Sequence, residues 1–268
     1  MTALPRWKTI EEAPLTRESV EALYANEIPA IRWRDAVTPD ECRRLAQAMD
    51  AVGLSKQYKV PGLADPPRYL GVAQFEFRKR PKEDYFAAVA QAWAEREAYV
   101  AAAGVDPFTR VTGRLQELFP ERTISVAEEP GFGRYYAGII RETTGGGTLH
   151  ADCARYSAPA YAISRTTAQL SWNLFVSEPA SGGVTTVHNA PYTPPVKDGH
   201  YAEIEPFDRR LVDGAQTHRY RGAPGEAIFF NPRNPHEWTA NVSGDGTRRL
   251  SVGSYVGRLP DGNFVVWS

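Results

Sequence analysis

His150 and Asp152 stand two positions apart in "GGGTLHADCARY" (145–156), just after three glycines. On a strand, residues i and i+2 share one face, so an imidazole nitrogen and a carboxylate oxygen can meet at one point. Two such groups make a weak site. A third is available in His236, within "FFNPRNPHEWTA", after the apolar run "GEAIFF" that reads as a strand. In a jelly roll, strands remote in sequence lie side by side, so the long separation is no obstacle.

Two imidazoles and one carboxylate on one face of a metal leave three coordination positions open, the pattern of non-haem iron(II) oxygenases. The stretch after His236 supplies a partner for those positions. In "RRLSVGSY", Arg249 and Ser251 share a strand face, and Arg248 sits on the other with Leu250 and Val252. A guanidinium is a planar fork that grips a carboxylate with two hydrogen bonds, and a nearby hydroxyl adds a donor. The pair suits the distal carboxylate of 2-oxoglutarate, whose keto-acid end would chelate the iron and leave one position for O2. Three rival readings exist. His150 and His236 are ordinary polar residues and Arg249 pairs with a surface acid; the same ligands hold zinc for hydrolysis, which leaves Arg249 and Ser251 unexplained; or the chain is an inactive jelly-roll binding module.

The elements that must position these groups fall into two halves. Residues 1–125 read as mostly helical. Thr16 caps "TRESVEALYANE". Thr38, Pro39 and Glu41 open "TPDECRRLAQAMDAVG" as a capping box, and Gly53 closes it. "KEDYFAAVAQAWAEREAYVAAAG" ends at Gly104, "DPFTRVTGRLQELFP" follows, and "IPAIRW" reads as a strand between the first two helices. Residues 126–268 are short β-rich runs separated by Gly, Pro, Asn and Asp: "RYYAGIIRE", "TLHAD", "AQLSWNLFVS", "GGVTTVHN", "GEAIFF", "RRLSVGSYVG" and "NFVVW". Helices first and strands second, without alternation, predict an α+β chain rather than a doubly wound sheet. The expectation is one domain over 1–268, a double-stranded β-helix (cupin-like jelly roll) with N-terminal helices packed on one sheet. The connection at 192–224 carries little strand signal; a loop of that length is a lid or a surface insertion.

Bulk numbers exclude several classes. The chain has 268 residues, 31 basic and 32 acidic, for a net charge of -1. Phosphate-backbone binding needs a concentrated basic excess, so nucleic acid is not an expected partner. No run of about 20 apolar residues is present to cross a membrane, and the first residues show no signal-peptide core. Two cysteines, Cys42 and Cys153, do not make a disulfide scaffold; a reducing, cytoplasmic setting is expected. Oligomeric state is left open.

With these residues placed, the chain resembles the iron(II)/2-oxoglutarate-dependent oxygenase superfamily. Within it, the order and spacing resemble the subgroup of freestanding indole-alkaloid halogenases and N-acyl amino acid hydroxylases. The resemblance is carried by "YLGVAQFEFRKRPKEDYF", "AQLSWNLFVSEPASGGVTTVHN", "GEAIFFNPRNPHEW" and "RRLSVGSYVGRLPDGNFVVWS", and is poor across 192–224. It implies iron held by His150, Asp152 and His236, and 2-oxoglutarate held by Arg249 with Ser251. Halogenases of this kind have Gly or Ala where this chain has Asp152, which frees a position for chloride. The resemblance therefore implies hydroxylation of an unactivated C–H, with desaturation or cyclisation open from the same chemistry.

For the substrate, Arg78, Arg80, Arg155 and Arg165 are candidate anion-binding residues, with a solvated surface role as the plain alternative. On "AQLSWNLFVS", Gln169, Ser171 and Asn173 alternate with Leu170, Trp172 and Leu174. A polar face on a central strand is costly unless it lines a wet pocket, so Asn173 is a pocket candidate and Trp172 packs between sheet and helices. Of Tyr135 and Tyr136, Tyr136 is taken to face the cavity. His188 lies near the substrate position, where it reads as a hydrogen-bonding residue or, alternatively, a direct substrate contact, whereas His200 and His218 read as solvated. By analogy, the substrate is a small molecule: first an amino acid or N-acyl amino acid derivative, then an alkaloid or other product of secondary metabolism.

Overall fold

A computed structural model describes residues 4–54, 56–59, 65–197, 200–201, 207–242 and 247–268. Four long helices lie where the caps place them. α1 (Arg17–Tyr24) and α2 (Pro39–Val52) each begin with a closed capping box, Thr16 with Ser19 and Thr38 with Glu41. α3 (Lys82–Ala103) ends at Gly104, whose φ of 66° is left-handed and favours glycine. α4 (Pro107–Leu118) is capped by the Asp106 carboxylate.

Among the described residues, ten strands form one sheet. Its main path runs Ala13–Pro14, Ala30–Trp33, Ala227–Phe230, Ala168–Ser177, Arg249–Arg258, Ile139–Thr143, Arg68–Leu70 and Lys56–Gln57; Phe264–Trp267 and Ile124–Val126 branch from Arg249–Arg258. Strands from residues 13–70 thus extend both edges, where the sequence suggested mostly helix. A second sheet runs Thr217–Tyr220, Thr185–His188, His236–Trp238 and Gly147–His150. Its first strand and a short helical turn (Arg209–Val212) lie inside the 192–224 connection, which is therefore not structureless.

The central strands are buried on both faces. Leu170, Trp172, Leu174, Leu250, Val252 and Val256 point to the helices and join Leu45, Met49, Phe108 and Leu115 in the largest apolar cluster. Trp172 is fully buried there, beside Phe108. The alternate residues face the second sheet. Phe175 and Phe230 of the large sheet and Val187 and Tyr220 of the small one share a separate cluster that joins the two layers. The space beside this cluster is where the site lies.

Candidate active site

His150 ends one strand of the small sheet and His236 begins its neighbour; the two are direct cross-strand partners. Their rings lie 4.2 Å apart, centroid to centroid. Asp152 does not reach them by strand alternation, because the strand stops at His150. Its backbone N–H instead donates to Pro232 O at 2.8 Å, pinning it to the turn that leads into His236. Asp152 Oδ2 then lies 3.8 Å from Nε2 of His150 and 3.8 Å from Nε2 of His236. One ligand atom from each residue falls within 4.8 Å of the others.

The donor set fits a divalent metal. His150 Nδ1 lies 2.7 Å from Thr148 O and His236 Nδ1 lies 3.0 Å from Asn234 O. A carbonyl only accepts, so Nδ1 carries the proton and Nε2 keeps its lone pair for the common point. Burial, with His150 beside it, pushes the His236 imidazole down to about 3; it is a neutral, ready ligand at neutral pH. Burial alone would raise the Asp152 carboxyl, but His150, His236 and the Tyr255 hydroxyl outweigh it and hold it below the ordinary range. Tyr255 Oη donates to Asp152 Oδ2 at 2.8 Å. The His236 side chain is 6% exposed, against 33% for His150 and 36% for Asp152, so the site opens on the His150–Asp152 side.

The Arg249–Arg258 strand turns Arg249, Ser251, Gly253 and Tyr255 toward this space. Tyr255 reaches Asp152, which fixes the direction of that face. Ser251 is buried, opposite Phe175 on one side and Arg141 on the other. The Arg249 guanidinium lies over the Phe175 ring at 5.3 Å. Tyr220, Phe230 and His236 continue the row, with Phe230 4.8 Å from His236, ring to ring. The Arg249 guanidinium is not wholly free, and the acid it meets is buried rather than on the surface. Arg249 Nε lies 2.9 Å from Oε1 of Glu178, whose side chain is only 3% exposed. Burial pushes the Glu178 carboxyl up to about 7, against the opposing pull of Arg249 and Arg221. The contact takes up Nε; neither terminal nitrogen of Arg249 has a hydrogen-bond partner among the described residues, so a two-pronged grip on a carboxylate is preserved.

Asn173 also faces the site, in register with Gly253. The remaining sequence candidates do not converge there. Tyr136 is fully buried in an aromatic core: its hydroxyl donates to Gly138 O and its ring packs on Trp93. Tyr135 is equally buried, bonded to Glu129. His188 lies one residue past Val187, which pairs with His236 across the sheet; alternation turns it to the outer face, where Nε2 lies 3.2 Å from Glu237 Oε1. Arg209 grips the same Glu237 carboxylate with both terminal nitrogens, docking the connection on that outer face. Arg165 lines a surface cleft with Ser125, Glu128 and Asp261 instead. Arg78, Arg80 and Arg155 are exposed. His218, expected to be solvated, is largely buried and bonds Ile10 O and Glu12. The His200 side chain lies outside the described part.

Three site residues escaped the sequence reading. Tyr255 was legible, since it continues the alternation of Arg249 and Ser251. Glu178 and Arg141 carry no local signal; only the sheet order brings them in.

Fold and site together define an iron(II)/2-oxoglutarate-dependent oxygenase. The family model of the carrier-protein-independent halogenase WelO5 matches residues 8–267, and the chain belongs to that family. The chain is 30% identical over 209 residues to leucinostatins biosynthesis cluster protein S of Purpureocillium lilacinum, covering 76% of this chain and 85% of that one. It is 28% identical over 134 residues to the L-gamma-glutamyl-L-propargylglycine hydroxylase of Streptantibioticus cattleyicolor, across 50% of this chain and 48% of that one. The crystal structure of an N-substituted L-amino acid dioxygenase from Burkholderia ambifaria has the same fold, with a TM-score of 0.59 at 17% identity, across 94% of this chain and 91% of that one. Among the described residues, no helix is long and apolar enough to cross a membrane.

Proposed function

We propose that this protein hydroxylates an unactivated C–H of a small molecule, an amino acid or N-acyl amino acid derivative, on a double-stranded β-helix. In this reading His150, Asp152 and His236 hold iron(II), and Arg249 with Ser251 holds the distal carboxylate of 2-oxoglutarate. When iron(II), 2-oxoglutarate and O2 are bound, the chemistry supplied is oxidation of 2-oxoglutarate to succinate and carbon dioxide, coupled to conversion of C–H to C–OH.

The protein's own residues do the positioning. The two backbone carbonyls and Tyr255 orient the three ligands. The terminal nitrogens of Arg249 orient the acid, and the Phe175–Tyr220–Phe230 row keeps water from one side. The observation that carries hydroxylation over halogenation is Asp152 itself. A carboxylate stands in the triad, supported by its own hydrogen bond, and an added anion would have to compete with it. The amino acid substrate class is supported by the names of two similar proteins, one acting on a γ-glutamyl amino acid and one on N-substituted amino acids.

Anaerobic addition of iron(II) and 2-oxoglutarate tests the reading. A weak visible charge-transfer band appears if both bind together at this site, and His150→Ala abolishes it. No band from the wild-type protein would leave a zinc hydrolase or an inactive binding module as the better account.

A further inference from the structure

A second arginine faces the same space. Arg141, in the Ile139–Thr143 strand, is the cross-strand partner of Ser251 on one side and of Tyr69 on the other. It shares the inward face with Ser251, and its Nη2 would lie 3.0 Å from a Cβ placed on Gly253. Asn173 Oδ1 would lie 2.7 Å from the same Cβ. The glycine thus leaves room for a guanidinium and a carboxamide to meet. The Arg141 charge helps to hold the Asp152 carboxyl below its ordinary range, yet no ion pair joins the two.

What sets this arginine apart is that none of the described residues hydrogen-bonds or ion-pairs with it. Its Nε is buried without a hydrogen bond. Asn173 likewise has none. Arg141 as a whole is half-buried, and a guanidinium whose Nε is cut off from water gives up hydration that a bound acid can replace. Beside Arg141 stands an aromatic wall: Tyr58 stacks on Tyr69 at 4.4 Å and meets Phe75 at 5.2 Å. A planar donor fork, a carboxamide and an apolar wall together suit an acid that carries an apolar group.

We propose that Arg141, with Asn173, forms a second carboxylate-binding position of the active site, separate from Arg249 and next to the metal triad. This inference rests on the oxygenase reading above. The acid is either the primary substrate's own carboxylate or the keto-acid end of the co-substrate, and the test tells them apart.

Arg141→Gln and Arg141→Lys are compared with the wild type by calorimetry under anaerobic conditions, with iron(II) present. One arm titrates 2-oxoglutarate. The other titrates N-acetyl-L-leucine and N-acetyl-L-phenylalanine, each beside its carboxamide. A tenfold or greater loss of 2-oxoglutarate affinity in Arg141→Gln, partly restored in Arg141→Lys, supports the proposal and assigns the keto-acid end. Unchanged 2-oxoglutarate affinity, with a wild-type preference for acid over carboxamide that the variant loses, supports it and assigns the substrate. The melting temperature stays at the wild-type value, because no partner among the described residues is lost; a purely structural arginine would lower it. The proposal is overturned if 2-oxoglutarate affinity is unchanged and no acid binds the wild type more tightly than its carboxamide. If the wild type binds no 2-oxoglutarate at all, the oxygenase reading fails on its own, and the acid–carboxamide comparison still decides the role of Arg141.

Discussion

Tyr255 Oη donates a 2.8 Å hydrogen bond to Asp152 Oδ2, so the large sheet supports the carboxylate of a triad whose two histidines belong to the small one. Supporting groups of this kind typically contribute about 10–100-fold to metal affinity or activity. Tyr255→Phe is expected to weaken iron(II) binding by about that factor while leaving the two imidazole–carbonyl contacts in place. Titration with iron(II) checks this; unchanged affinity would show that Asp152 holds its posture without the hydroxyl.

Removing the carboxylate tests the reaction type. In Asp152→Gly, two imidazoles remain and one coordination position is vacated. Hydroxylation of any substrate the wild type accepts should fall, and in chloride buffer some chlorinated product should form. Mass analysis of products with and without chloride reads both effects. Chlorination by the wild-type protein would refute the hydroxylase reading.

Glu178 gives the site a pH dependence. Its carboxyl is raised to about 7 in the folded chain, so the folded state holds a proton that the unfolded state has released. That contribution to stability is complete below the ordinary carboxyl range and is lost as pH rises through about 7. The same ionisation places a negative charge against Arg249, where the co-substrate's distal carboxylate is expected. Affinity for 2-oxoglutarate should therefore weaken between pH 6 and 8, by roughly tenfold for a shift of one pKa unit. Glu178→Gln should flatten that profile and bind more tightly at pH 8. An equal slope in the variant would assign the dependence to another group.

Gly253 is a packing prediction. A Cβ there would lie 2.7 Å from Trp172 O and 2.7 Å from Asn173 Oδ1. The first of these is backbone in a central strand and cannot easily yield. Gly253→Ala should cost about 1–3 kcal/mol of stability, the usual range for overpacking, measured by denaturant unfolding.

Much of this arrangement was legible in the sequence, and the failures have physical causes. Capping boxes at Thr16 and Thr38 are local chemistry, and both helices start there. The alternation along 168–177 and 249–258 separated helix-facing from site-facing residues, because a two-residue period is imposed by the pleat itself. His150 and Asp152 were matched for an incomplete reason: the carboxylate arrives through a turn pinned to Pro232, not by strand alternation. Tyr136 and His188 were misplaced because a face cannot be assigned without knowing what packs on it. The Thr217–Tyr220 strand was missed because its residues are mostly polar and only its partner strand makes it one. Glu178 and Arg141 sit at positions set by strand order, which no local window contains.

The two histidines each brace their ring on a carbonyl two residues back, within their own segment. The aspartate depends on a hydroxyl from the opposite layer. A change of residue at 152 would thus leave the bracing of both imidazoles untouched, so that corner of the triangle can be altered on its own.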